Sequence, residues 1–156
     1  MPTQRIQFTE WLPDQPTTTG ALLTANNVYP LTIGYGPFPL SADYSTAASE
    51  DLNNVTAAKF ELSTVLFAGG ATKLFKFNPG TTGLDDVSKS GGYSSAERWS
   101  FTQFGNAVLA SNNQAKIQAW YVGTSTAFAD VSADAPIAKY ITVVRDFVVA
   151  ANTIWL

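Results

Sequence analysis

Hydrophobic and polar positions alternate in short bursts along most of this chain, and the bursts have the period of strands. From Lys59 onward, β-branched and aromatic residues come in brief runs separated by Gly, Asn and Ser, the pattern of half-buried strands closed by turns. Strands are expected at 59–62, 64–68, 72–78, 99–104, 107–111, 115–122, 140–145 and 147–151. The connections are hairpin-like: Gly69-Gly70, Gly105-Asn106, Ser111-Asn112-Asn113 and Arg145-Asp146. Links this short force antiparallel pairing, because a parallel crossover needs about a dozen residues or more. Within 99–104 the alternation puts Trp99, Phe101 and Gln103 on one face. A one-sided aromatic stripe of this kind belongs between packed sheets.

The first 45 residues read differently. Six of the eight prolines lie there: Pro2, Pro13, Pro16, Pro30, Pro37 and Pro39. Each lacks a donor and fixes its own φ, so neither a regular helix nor a central strand fits. Trp11, Tyr29, Ile33, Tyr35 and Phe38 sit between them. Residues 1–45 are therefore expected to form an extended Pro-rich arm that lies across a surface and pins itself with aromatics. Residues 46–58 are the one stretch with helical character, a short helix or turn linker. Ser49 would cap it, with Glu50 and Asp51 near its positive end. Asn53, Asn54 and Thr56 shorten it toward a single turn.

The β-module over 59–156 contains a repeat. VLFAGGATKLFKF at 65–77 parallels VLASNNQAKIQAWY at 108–121, and VVAANTIWL at 148–156 restarts the pattern. The marker residues Ala68, Ala110 and Ala150 are spaced by 42 and 40, and Asp-Val-Ser recurs at 86–88 and 130–132, a step of 44. β-Repeats of about 40–45 residues have the size of a four-stranded propeller blade. The expected fold is all-β, with about two and a half antiparallel propeller-like blades behind the arm. The third repeat stops in the apolar Ile154-Trp155-Leu156. Either the polypeptide is expected to continue, or another chain completes the sheet.

Composition narrows the chemistry. Charged residues make up 13% of the chain, about half the usual share, which fits a protein packed among other subunits. There is no Cys and no His, so thiolate chemistry, the commonest general base and the commonest metal ligand are all missing. No signature for catalysis by Ser, Tyr, Lys or paired carboxylates takes their place. The expectation is a protein that is not an enzyme and needs no cofactor or metal. With 9 basic against 12 acidic residues there is no basic nucleic-acid footprint. The opening MPTQRIQFTE lacks a leader pattern, and no run approaches the roughly 20 apolar residues of a membrane span.

Asp85-Asp86 and Asp130 with Asp134 are the nearest approach to a carboxylate constellation. Paired carboxylates in loops suit Ca²⁺ binding or glycoside hydrolysis, and Asp also fixes turns by bonding the backbone two residues on. Recurrence at the repeat period favours the turn, since a catalytic pair need occur only once.

Four stretches resemble a known group: WLPDQPTTTGALLTANNVYPLTIGYGPFP, LFAGGATKLFKF, RWSFTQFGNAVLASN and, above all, APIAKYITVVRDFVV. They are similar to the tail-nozzle and head-completion (neck) proteins of short-tailed bacteriophages and prophages. The resemblance implies a β-propeller-containing structural subunit of the virion. It would assemble in the host cytoplasm as a homo-oligomeric ring below the portal and adaptor, beside other virion proteins such as tail fibres. DNA would pass through its channel without specific binding, which suits a weakly acidic wall. Nozzle proteins are normally several times longer than this chain.

The interface candidates are Trp11, Tyr29, Tyr35 and Phe38 on the arm, because buried aromatics dominate interface energetics. Arg98 and Arg145 join them, since Glu97 and Asp146 are strand neighbours pointing the other way and each Arg is left to reach a carboxylate elsewhere. Trp155, in the final apolar strand, completes the set. The alternative is a glycan- or receptor-binding module of a tail appendage, which would need exposed aromatics beside Asp or Asn. The exposure of Trp99 and Trp120 separates the two.

Overall fold

A computed structural model of the chain describes residues 24, 26–32, 35–40 and 42–154, and among these the fold is all-β, with antiparallel sheets and no helix. The chain divides into two units between Ala42 and Asp43. In the first, β1 (Val28–Pro30) and β2 (Tyr35–Pro37) form a hairpin in which Val28 faces Pro37 and Pro30 faces Tyr35. Phe38 N–H extends it by donating to the Asn27 carbonyl at 2.7 Å. A proline at the end of each strand removes a donor there and keeps the ladder short.

The second unit holds three sheets laid down in chain order. β3 (Leu52–Lys59), β4 (Thr64–Gly70), β5 (Leu74–Asn78) and β6 (Gly83–Asp86) form the first, each strand beside the next. β7 (Ser100–Phe104), β8 (Ala107–Ser111), β9 (Gln118–Tyr121) and β10 (Ala129–Asp130) form the second in the same order. β11 (Ile137–Val144) and β12 (Phe147–Ile154) form a two-stranded third.

The helical character expected at 46–58 is not realised. Residues 52–59 form β3, paired along its length with β4 from Leu52 opposite Gly70 to Lys59 opposite Thr64. Asn53 and Asn54, which weaken a helix, have long-range work in a strand. Asn53 Nδ2 donates to the Gly70 and Ala96 carbonyls at 3.1 and 3.2 Å, and its Oδ1 accepts from Trp99 N–H at 3.2 Å. Asn54 Nδ2 donates to the Trp99 carbonyl at 2.6 Å. Glu50 caps no helix. Its carboxylate accepts from the N–H groups of Thr72 and Lys73 at 2.9 and 2.8 Å and from the Thr72 hydroxyl at 2.8 Å, closing the β4–β5 turn. Of the strand expected at 59–62, Lys59 ends β3 and the rest is a turn, in which Phe60 N–H donates to the Ser63 carbonyl at 2.7 Å.

The sequence repeat coincides with the sheet repeat. Ala68, Ala110 and Ala150 fall in β4, β8 and β12, the second strand of each sheet. The two Asp-Val-Ser segments close β6 and β10, the fourth strands. Val87 N–H donates to the Leu74 carbonyl at 2.8 Å, and one repeat later Val131 N–H donates to the Ile117 carbonyl at 2.9 Å.

Two buried clusters lie on opposite faces of the second sheet. Val108, Ala110 and Trp120 face the first sheet and meet Phe67, Leu74 and Trp99. Ala107, Leu109 and Ala119 point the other way, onto Ala138, Ile141 and Ala150. This explains why β8 is buried at every position: a strand covered on both faces loses its polar alternation. The orientation also repeats. Phe67 points from the first sheet to the second, Leu109 from the second to the third, and Ala110 and Ala150 point back.

Candidate interaction surface

Trp11 and Trp155 lie outside the described residues. Tyr29 is 41% and Phe38 66% exposed, while Tyr35 is half-buried. Arg98 and Arg145 are both exposed, in separate places. Arg98 lines a cleft of about 660 Å³ with Glu97, Trp99, Asn112, Lys139 and Tyr140. Arg145 forms the β11–β12 turn with φ 54°, a backbone demand that a non-glycine residue meets at some cost.

The aromatic stripe of β7 lies as its alternation indicated. Trp99 is 1% exposed and donates its indole N–H to the Gly70 carbonyl at 2.8 Å. Phe101 stacks beside it at 6.3 Å. Gln103 accepts from Lys59 N–H at 3.0 Å and donates to the Lys59 carbonyl at 2.8 Å, acting as a strand edge across the gap. Trp120 is 5% exposed and packs edge-on against Phe67 at 5.0 Å. Neither indole is free to stack on a sugar, which counts against these two residues as a glycan platform.

The carboxylates serve the fourth strands. Asp86 accepts from Ser88 N–H at 3.0 Å and from its hydroxyl at 2.6 Å, the turn expected of an Asp two residues upstream, and it pairs with Lys73 at 3.0 Å. Asp130 accepts from Gln118 Nε2 and pairs with Lys89 at 3.1 Å, tying β10 to the segment that links the first two sheets. Partial burial pushes both carboxyls up, and the hydrogen bonds and lysines outweigh it. Ser88 and Lys73 hold Asp86 below the ordinary range, and Gln118, Lys89 and Lys116 do the same for Asp130. Asp85 accepts from Asn78 Nδ2 at 2.9 Å. Burial raises the Tyr93 hydroxyl, which stays a neutral donor to Gln118 Oε1 at 3.3 Å. Among the described residues no three His, Cys, Asp or Glu side chains gather in a way that would hold a metal.

The most exposed apolar surface of the second unit's strands is on the third sheet. In its register Tyr140 faces Ala151, Thr142 faces Val149 and Val144 faces Phe147, so these six share one face. Ile141 and Ala150 are on the other face, against the second sheet. Tyr140 is 56%, Val144 54%, Phe147 73% and Val149 44% exposed. Contiguous exposed apolar faces of this kind are the usual character of interaction surfaces. The sequence carried a signal for it in the uninterrupted apolar flanks of Arg145-Asp146, ITVV and FVVAA.

No protein-family model matches the chain, and no curated protein matches it either.

Proposed function

We propose that this chain is a structural subunit of a phage tail or neck, of the nozzle type, whose work is assembly into a ring that conducts DNA. The observation that supports this reading most is the stack of sheets. Each sheet turns the same face to the next, and the last presents an apolar face that nothing in the described chain covers. Four-stranded antiparallel meanders stacked in one sense are how propeller-like blades are built, and we take the three sheets as such blades. Contacts that point one way are heterologous, and heterologous contacts close into a ring where the rotation between neighbours closes. The exposed aromatics Tyr29 and Phe38 of the first unit are the anchors by which the arm would grip an adjacent subunit. With few basic side chains, a wall built of such subunits would let a polyanion slide past.

Native mass spectrometry and negative-stain imaging of the full chain, beside a version lacking residues 1–40, test the reading. The full chain is expected to form a discrete ring. The shortened chain should keep its β circular dichroism and stay monomeric. A full chain that remains monomeric at high concentration, or a shortened one that forms the same ring, overturns the proposal.

A further inference from the structure

We infer that the outer edge of β12 is a docking strand for a β-hairpin of the kind this chain itself uses as its third and fourth strands. The inference rests on the internal repeat and holds whether or not the subunit belongs to a virion. β4, β8 and β12 occupy equivalent places, marked by Ala68, Ala110 and Ala150. One edge of each pairs with the first strand of its own sheet. The other edge carries β5 then β6 in the first sheet and β9 then β10 in the second, whereas β12 has no further partner strand among the described residues.

The strand itself is suited to pairing. Phe147–Ile154 is eight residues long and contains no charged residue and no proline, two of the devices by which exposed edges are guarded. Its extended backbone is broken only near its end, at Asn152 with φ 54°. Val148, Val149 and Ile154 are 36%, 44% and 50% exposed.

The two complete sheets specify the occupant. In each, the added strand places a defined residue opposite the marker alanine: Phe75 opposite Ala68 and Gln118 opposite Ala110. One position along, Lys76 faces Phe67 and Ala119 faces Leu109. Each added hairpin starts beside a lysine, Lys73 or Lys116, and ends on Asp-Val-Ser. In the first hairpin that lysine pairs with the closing aspartate, Lys73 with Asp86 at 3.0 Å, whereas in the second Lys116 donates to the Ala133 carbonyl and Asp130 pairs with Lys89. The occupant is therefore an antiparallel hairpin with an apolar first strand, a lysine before it and an Asp-Val-Ser after its second strand. It binds by main-chain hydrogen bonds along β12, as in strand addition to a sheet edge.

The probe is a labelled synthetic peptide of residues 72–88, which carries Lys73, β5, β6 and Asp-Val-Ser. It is titrated against the full chain by fluorescence anisotropy, with a scrambled peptide beside it and amide exchange followed in β12 and β3. We expect saturable one-to-one binding of the ordered peptide. Exchange should slow about tenfold or more in β12 alone. The substitution Val149→Lys, at an exposed position, should abolish both effects while leaving the circular dichroism unchanged. Binding no stronger than that of the scrambled peptide, or protection outside β12, overturns the inference. A chain that sediments as a dimer, becomes monomeric with Val149→Lys and ignores the peptide also overturns it, in favour of β12 pairing with a second copy of itself.

Discussion

Gly69 is a residue whose role is the space it leaves. A Cβ built on it would overlap the Trp99 ring, whose indole N–H holds the neighbouring Gly70 carbonyl at 2.8 Å. One on Gly70 would strike the Glu50 carboxylate. The substitution Gly69→Ala is expected to cost about 1–3 kcal/mol, the usual range for forcing extra volume into a packed core. Urea unfolding should show a lower midpoint at an unchanged slope, and an unchanged midpoint would mean that Trp99 moves aside freely. The sequence made Gly69-Gly70 visible as special but assigned it to a hairpin turn. Neither residue has a positive φ, whereas Gly105, in the turn between β7 and β8, does, at 57°. A pair of glycines between apolar runs signals either a turn or a close approach, and the choice depends on a tryptophan some thirty positions away in the sequence.

Among the elements, β6 and β10 are short and carry few β-branched residues. GLDD and AD have little strand character of their own, and both were missed for that reason. Beyond their ladders with β5 and β9, they are tied by contacts from elsewhere in the chain: Lys73 on Asp86, and Lys89 with Gln118 on Asp130. Since both carboxyls titrate below the ordinary 3.8 when folded, the unfolded chain binds protons more readily. Their contribution is therefore complete above the unfolded value and is lost as pH falls through the lower folded values. The double substitution Asp86→Asn/Asp130→Asn should lower Tm at pH 7 by about 4 °C at most, because solvent screens both pairs. In thermal melts from pH 7 to pH 2, the gap from the unsubstituted chain should close at the acid end. A gap that persists at pH 2 would mean the aspartates act through packing. The longer strands were legible because their β-branched runs are local signals. β3 was not, because Asn53 and Asn54 look like loop or cap residues until Gly70, Ala96 and Trp99 are placed beside them.

At the scale of the whole second unit, stability is set by how many neighbours each sheet has. The second sheet is covered on both faces, the first sheet meets the cluster around Phe67 and Trp120, and the third lends Ala138, Ile141 and Ala150 to a smaller cluster while its other face is left uncovered by the described residues. The repeat spacing gave the number of sheets and their order. It could not give their stacking sense, because Phe67 and Leu109 are equally apolar whichever way they point. It also could not separate Arg98, in the cleft, from Arg145, in a turn, because both stand beside an acid in sequence. Opening free energy should follow coverage, since backbone protected by many buried contacts opens only with global unfolding. Amide exchange is therefore expected to be slowest in β8, intermediate in β4 and fastest in β12, with β12 opening before the rest unfolds. Substituting Leu109→Ala, which removes a buried side chain from the face shared with the third sheet, should cost about 2–5 kcal/mol. It should speed exchange in β11 and β12 more than in β3. If β12 instead exchanges as slowly as β8, coverage by neighbouring sheets within the chain does not set the order of opening.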